Sequence, residues 1–111
     1  MVHTVAVSDD DDLKVELDSD AAEDVLTVRL DGELDMAHSD WVDDTLAAAG
    51  KHHRRIAVQL DALSFIDSAG IRVLQSLKAQ GREHSIEITF EDPSEPVLRA
   101  LKAADLTQLV D

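Results

Sequence analysis

The stretch Leu63-Ser64-Phe65-Ile66-Asp67-Ser68-Ala69-Gly70 constrains the fold most, because a strand-like run ends and a helical pattern begins inside it. Upstream, Ile56-Ala57-Val58-Gln59-Leu60 is a short apolar run rich in β-branched residues, of the length of a buried strand. Downstream, Ile71, Leu74 and Leu77 recur at helical spacing, and Gly81 is expected to stop the helix. Asp67-Ser68 therefore falls where a helix N-cap belongs. A hydroxyl at that place meets unpaired backbone N–H groups and the positive end of a helix dipole. Read alone, Ser68 is a helix cap.

The rest of the chain fits a strand and helix alternation around this junction. Leu13, Val15 and Leu17 alternate with polar residues up to Asp18, which predicts a half-buried strand. After a polar turn over Ser19 to Asp24, Val25 to Leu30 predicts a second strand, antiparallel to the first because the connection is short. Gly32-Glu33-Leu34-Asp35 reads as a loop leading into a helix from Met36 to Ala49, with Asp35 as its N-cap, Val42, Leu46 and Ala49 on one face, and Gly50 just past its end. Ile86, Ile88 and Phe90 predict a further strand. Ser94 and Pro96 open a last helix whose apolar face is Val97, Leu98, Leu101 and Ala104. That helix is expected to end through Asp105 at positive φ, leaving Leu106, Leu109 and Val110 to tuck against the sheet or form a short strand. Right-handed crossovers would lay the helices on a small mixed sheet of four to five strands, an α/β fold. Two loops that each follow a strand and open a helix would bring Asp35, Asp67 and Ser68 together at one end of that sheet.

Asp67-Ser68-Ala69-Gly70 after Leu63-Ser64-Phe65-Ile66, with Gly32-Glu33-Leu34-Asp35 earlier in the chain, resembles the STAS domain of anti-sigma factor antagonists. The resemblance runs from Leu13 to the C-terminus. It implies that Ser68 is phosphorylated by an anti-sigma factor that is a serine kinase, and that Asp35 lies beside it. It also implies a partner surface of Asp35, Met36, Asp67, Ser68, Ala69, Gly70, Arg72 and Val73, and a phosphatase acting on phosphorylated Ser68. The chain departs from the pattern at Ala69, where many members carry a second small hydroxyl residue. The alternatives are an unmodified STAS adaptor subunit of a transporter or stress-signalling complex, and a small nucleotide-binding or hydrolytic protein.

Charge narrows the partners independently of any resemblance. Lys and Arg number 10 against 24 Asp and Glu, for a formal net charge of −14, so the chain repels nucleic-acid backbones and any effect on transcription must pass through protein. Either an acid-rich proteome or an acidic face for a basic partner accounts for the excess. The run Ser8-Asp9-Asp10-Asp11-Asp12 repels itself, and residues 1–12 are read as a flexible acidic tail before a single domain over residues 13–111. The basic run Lys51-His52-His53-Arg54-Arg55 suits the end of a helix. Its adjacent histidines lack metal-ligand spacing and His3, His38 and His84 are scattered, so no metal and no cofactor are expected. Cysteine is absent, no Gly-x-Ser-x-Gly or phosphate loop occurs, and no histidine accompanies Ser68 in sequence. The expectation is a binding protein rather than an enzyme, cytoplasmic, monomeric when free, and without a membrane-spanning segment.

Overall fold

Apolar residues at alternate strand positions set the register of the sheet. In the computed structural model, which describes residues 2–50 and 52–110, strands β1 (Val2–Val7), β2 (Leu13–Asp20), β3 (Val25–Leu34), β4 (Arg55–Ile66) and β5 (Glu87–Glu91) form one sheet in chain order. β1 to β3 pair antiparallel, whereas β3 with β4 and β4 with β5 pair parallel. Parallel neighbours need a crossover. α1 (Ser39–Gly50) and α2 (Ser68–Glu83) supply the two crossovers, and α3 (Glu95–Ala103) follows β5. This is the mixed α/β sheet expected from the sequence, with five strands. No helix among the described residues is long and apolar enough to cross a membrane.

Leu13 and Val15, Leu26, Val28 and Leu30, Val58 and Leu60, and Ile88 and Phe90 repeat every second residue and are buried. Val42 and Leu46 of α1, Leu74 and Leu77 of α2, and Val97 and Leu101 of α3 complete this core. The intervening strand positions carry ion pairs such as Lys14–Glu16 at 3.3 Å and Arg29–Asp61 at 3.2 Å. Exposed pairs of this kind contribute about 0–1 kcal/mol each. Burying one Leu or Val contributes about 1.5–3 kcal/mol, so the apolar positions decide which way each strand faces.

Residues 2–12, expected within a flexible tail, form β1 and a tight turn instead. Val2–Val7 holds no Asp or Glu and pairs residue for residue with β2, from Val2 opposite Ser19 to Val7 opposite Lys14. The acids begin only where the chain turns. There Ser8 N–H donates to Leu13 O at 2.9 Å, and Asp11 takes a left-handed φ of 63°. The fifth strand therefore comes from the N-terminus. At the other end Thr107–Leu109 is a single 3-10 turn, with Leu106, Leu109 and Val110 packed against the core.

Three boundaries move for local reasons. Gly32-Glu33-Leu34 belongs to β3, where bulges shift its register against β4, and Gly32 at φ 120° leaves room for Asp12 O. α1 begins at Ser39 rather than Met36, after a turn closed by His38 N–H to Asp35 O. α2 runs through Gly81 to Glu83, and Ser85 at φ 56° makes the reversal that Gly81 was expected to make. Asp105 does adopt positive φ, 57°. Ser94 stands at the N-cap of α3, but its hydroxyl donates to Leu63 O at 2.7 Å and its N–H to Leu60 O at 3.2 Å. Those bonds seal the part of β4 that extends beyond β5.

Candidate functional site

Because β3 and β4 are parallel, with Leu34 beside Ile66, the loops leaving them emerge side by side. Asp67, at φ −113° and ψ −172°, is the N-cap of α2. One carboxylate oxygen, Oδ1, accepts the Gly70 N–H at 2.9 Å, and the other, Oδ2, accepts the Met36 N–H at 3.1 Å from the neighbouring loop. Its own N–H donates to Leu34 O at 3.3 Å. One side chain thus caps a helix and ties two loops together. Gly70 permits the contact, since a Cβ there would stand 2.3 Å from Leu34 O and 2.7 Å from the Ile66 side chain.

Ser68 is therefore not the cap but the first helical residue, and it is exposed. Of the residues at these two junctions, Met36 is 76% and Phe65 46% exposed, which is unusual for large apolar side chains beside a packed core. Arg72, one helical turn beyond Ser68, is exposed as well. Ala69 and Val73 are largely buried, at 8% and 6%, and Gly70 is buried. Of the residues the sequence assigns to a partner surface, these three hold α2 in place, and what Ala69 and Val73 still expose floors a groove. That groove, about 430 Å³, runs between the first turns of α1 and α2 and is walled by Met36, Ser39, Asp40, Asp43, Arg72 and Ser76. Burial, aided by the negative charges of Asp44 and Asp40, raises the Asp43 pKa, while a Gln80 hydrogen bond opposes the rise. Phe65 and the groove acids were missed by sequence reasoning.

Asp35 has a different setting from the one expected. One of its oxygens, Oδ1, accepts the Ala37 N–H at 3.0 Å and lies 2.6 Å from His38 Nδ1. His38 is only 4% exposed, and its Nε2 lies 2.8 and 2.9 Å from the two carboxylate oxygens of Asp10 in the β1–β2 turn. A carboxylate on each side favours the protonated ring, Nε2 through its hydrogen bonds to Asp10 and Nδ1 through the charge of Asp35 close by. Burial opposes that charge, but the bonds to Asp10 and Asp35 outweigh it and raise the His38 pKa. Hydrogen bonds from Ser8, from His38 and from the Asp12 N–H hold Asp10 well below the usual carboxylate range. Asp10, Asp12 and His38 have ligand-type atoms within 4.8 Å of one another, yet the His38 nitrogen in that group is taken by Asp10.

The basic run lies at the opposite end of the sheet, where His52, His53 and Arg54 border a cleft of about 850 Å³ floored by Leu46, Ile56 and Leu77. There His53 Nε2 meets Ser19 Oγ at 2.8 Å, and Arg54 pairs with Asp24 at 3.6 Å. Lys51 lies outside the described residues.

The family model of the STAS domain matches residues 16–111. No curated protein matches the sequence. The fold is similar to that of the anti-sigma factor antagonist SpoIIAA in its unphosphorylated form, with TM-score 0.71, 18% identity, and 87% of this chain and 85% of that one covered. The Bacillus cell fate determinant SpoIIAA in its phosphorylated form gives TM-score 0.66 at 18% identity, covering 87% of this chain and 88% of that one. An anti-sigma factor antagonist from Mycobacterium paratuberculosis gives 0.69 at 18% identity, covering 95% of this chain and 87% of that one. At this identity the likeness establishes the fold.

Proposed function

This chain belongs to the STAS domain family, and from that premise we propose that it is an anti-sigma factor antagonist switched by phosphorylation of Ser68. Unphosphorylated, it binds an anti-sigma factor that is a serine kinase and so releases a sigma factor. Phosphorylation ends that binding, and a phosphatase restores it. The observation that carries this reading is the exposed Ser68 on the first turn of α2, next to Asp67, whose carboxylate also holds the loop that carries the exposed Met36. A kinase can reach such a hydroxyl without unfolding anything, and apolar side chains at the centre of a small surface are the usual anchors of an interface.

The physics of the switch follows from its position. Phosphate adds about −1.5 to −2 charges at pH 7. The helix N-terminus favours that charge by about 0.3–1 kcal/mol, and Arg72, at i+4 on the same helix, offers a counter-charge. The fold therefore tolerates the modification. A partner surface complementary to the neutral hydroxyl does not. One like-charge contact at about 4 Å, at an effective dielectric of about 20, costs roughly 4 kcal/mol, close to a thousandfold in affinity.

Incubation with the anti-sigma kinase and ATP, followed by intact-mass measurement, tests the reading. Wild type gains one phosphate and Ser68→Ala gains none while still binding the kinase. Ser68→Asp stays folded and loses the kinase. If Ser68→Ala takes up phosphate at the wild-type rate, or Ser68→Asp binds as tightly as wild type, the reading is wrong.

A further inference from the structure

We propose that Asp10 and His38 are positioning residues that hold the Asp35–Met36 loop in register beside Ser68, so that the N-terminal turn controls the shape of the partner surface. This rests on the reading of Ser68 and Met36 as that surface.

The argument starts from how the loop is anchored. Met36, the most exposed large apolar residue of the site, follows Asp35 and precedes α1 by three residues. Two bonds fix its backbone, Met36 N–H to Asp67 and Ala37 N–H to Asp35. Asp35 in turn is held against His38 Nδ1, and His38 is pinned from its other side by Asp10. Asp10 is itself rigid, because its Oδ1 accepts from Ser8 Oγ at 2.7 Å and from Asp12 N–H at 3.0 Å. The Ser8 hydroxyl also accepts the Leu13 N–H at 3.1 Å, and Asp12 O accepts the Glu33 N–H at 2.9 Å, which docks the turn onto β3. A continuous chain of polar contacts thus runs from the first hairpin to the loop beside Ser68. Its central member is a ring buried to 4% exposure.

The charged groups facing the ring are Asp10, with Asp12 close by, from the β1–β2 turn and Asp35 from the loop before α1. All are acids. Loss of the ring proton leaves one nitrogen facing a carboxylate with nothing to donate, so the clasp opens on that side as pH rises through the His38 titration. The same happens at fixed pH when Asp10 cannot accept as a carboxylate.

The test follows backbone amides in the full chain, with the Gly70 N–H as internal reference because it bonds to Asp67 without involving His38. In wild type the hydrogen-exchange protection of Met36 and Ala37, relative to Gly70, falls by about tenfold or more as pH passes the His38 titration measured by ring NMR. In Asp10→Asn the protection is already low at pH 6, and the His38 titration moves down. Unchanged relative protection in wild type across that titration overturns the proposal, whether or not the variant folds. So does wild-type protection in a folded Asp10→Asn. A chain that takes no phosphate on Ser68 while Met36 loses protection as described overturns the reading of the site and leaves the clasp standing.

Discussion

The two strand-to-helix junctions of this fold solve the same problem in different ways. At β4–α2 the chain enters the helix at once, since Asp67 caps it and Ser68 is already helical. At β3–α1 it takes a detour through Asp35, Met36, Ala37 and His38 before α1 starts at Ser39. The first junction is held by its own helix through Gly70 N–H and by the neighbouring strand and loop through Leu34 O and Met36 N–H. The second depends on Asp10, 28 residues earlier in the chain. The first junction combines a local cap with bonds to the parallel neighbour that the sheet sets beside it, whereas the second reaches to a turn near the start of the chain and can be altered from there. The phosphorylatable residue we propose sits on the first kind and the exposed apolar anchor Met36 on the second.

The comparison breaks most severely where the junctions touch. Gly70→Ala places a methyl 2.3 Å from Leu34 O, a backbone atom that can retreat only by separating α2 from β3. We expect a loss of about 3 kcal/mol, the upper part of the range for overpacking, with a fall in melting temperature of about 4–8 °C per kcal/mol in a chain of this size. Asp67→Ala comes next. It removes the cap and should cost about 1–2 kcal/mol, and it frees the Met36 N–H as well, so thermal melting and amide exchange should report the two losses together. If Met36 stays protected in that variant, the loops are not tied through Asp67.

Smaller and more specific is the pH response. The pKa of His38 is raised on folding, so its contribution is complete below the ordinary imidazole value of about 6.5 and is lost as pH rises through the raised one. That of Asp10 is depressed, so its contribution is present above the ordinary carboxylate value of about 3.9 and is lost in acid. Melting temperature across pH should therefore be best supported by the clasp between about pH 4 and 6.5, and Asp10→Asn should flatten the decline on both sides. The least effect belongs to Ser68→Ala. With Asp67 as the cap and Ser68 exposed, it should change stability by less than about 0.5 kcal/mol. A larger loss in chemical denaturation would mean that the hydroxyl has a structural partner.

Much of this was legible in the chain because it is local. The 3.6-residue spacing of Ile71, Leu74 and Leu77 and the alternation of Ile86, Ile88 and Phe90 each carry their own evidence. The meeting of Asp67 with the Gly32–Asp35 segment follows from parallel topology. What escaped was held together across sequence. Val2–Val7 forms a strand only because β2 offers it an unpaired edge, and the acidic run after it looked like solvated charge while one of its members was bonded to a buried ring. His38 looked scattered because its partners lie 28 residues before it and one turn before it. The sequence points to Asp67-Ser68 as the cap, and the structure gives that role to Asp67. At an N-cap a carboxylate and a hydroxyl both serve, and the choice was made by Met36 N–H, which needed a second acceptor oxygen.

The strands follow one another across the sheet in the order in which they are made, and this bears on how the protein is born. No strand is inserted between two that are already paired, so each new one as it leaves the ribosome finds its template waiting and closes a short circuit of chain. By Ile66 four of the five strands exist. The late step is the sealing of the far half of β4, whose carbonyls at Leu60 and Leu63 wait for Ser94. Until then that half is an open edge, the kind to which other nascent chains attach. The hazard lasts for the synthesis of β5 and the approach to α3, and it ends when one serine folds down.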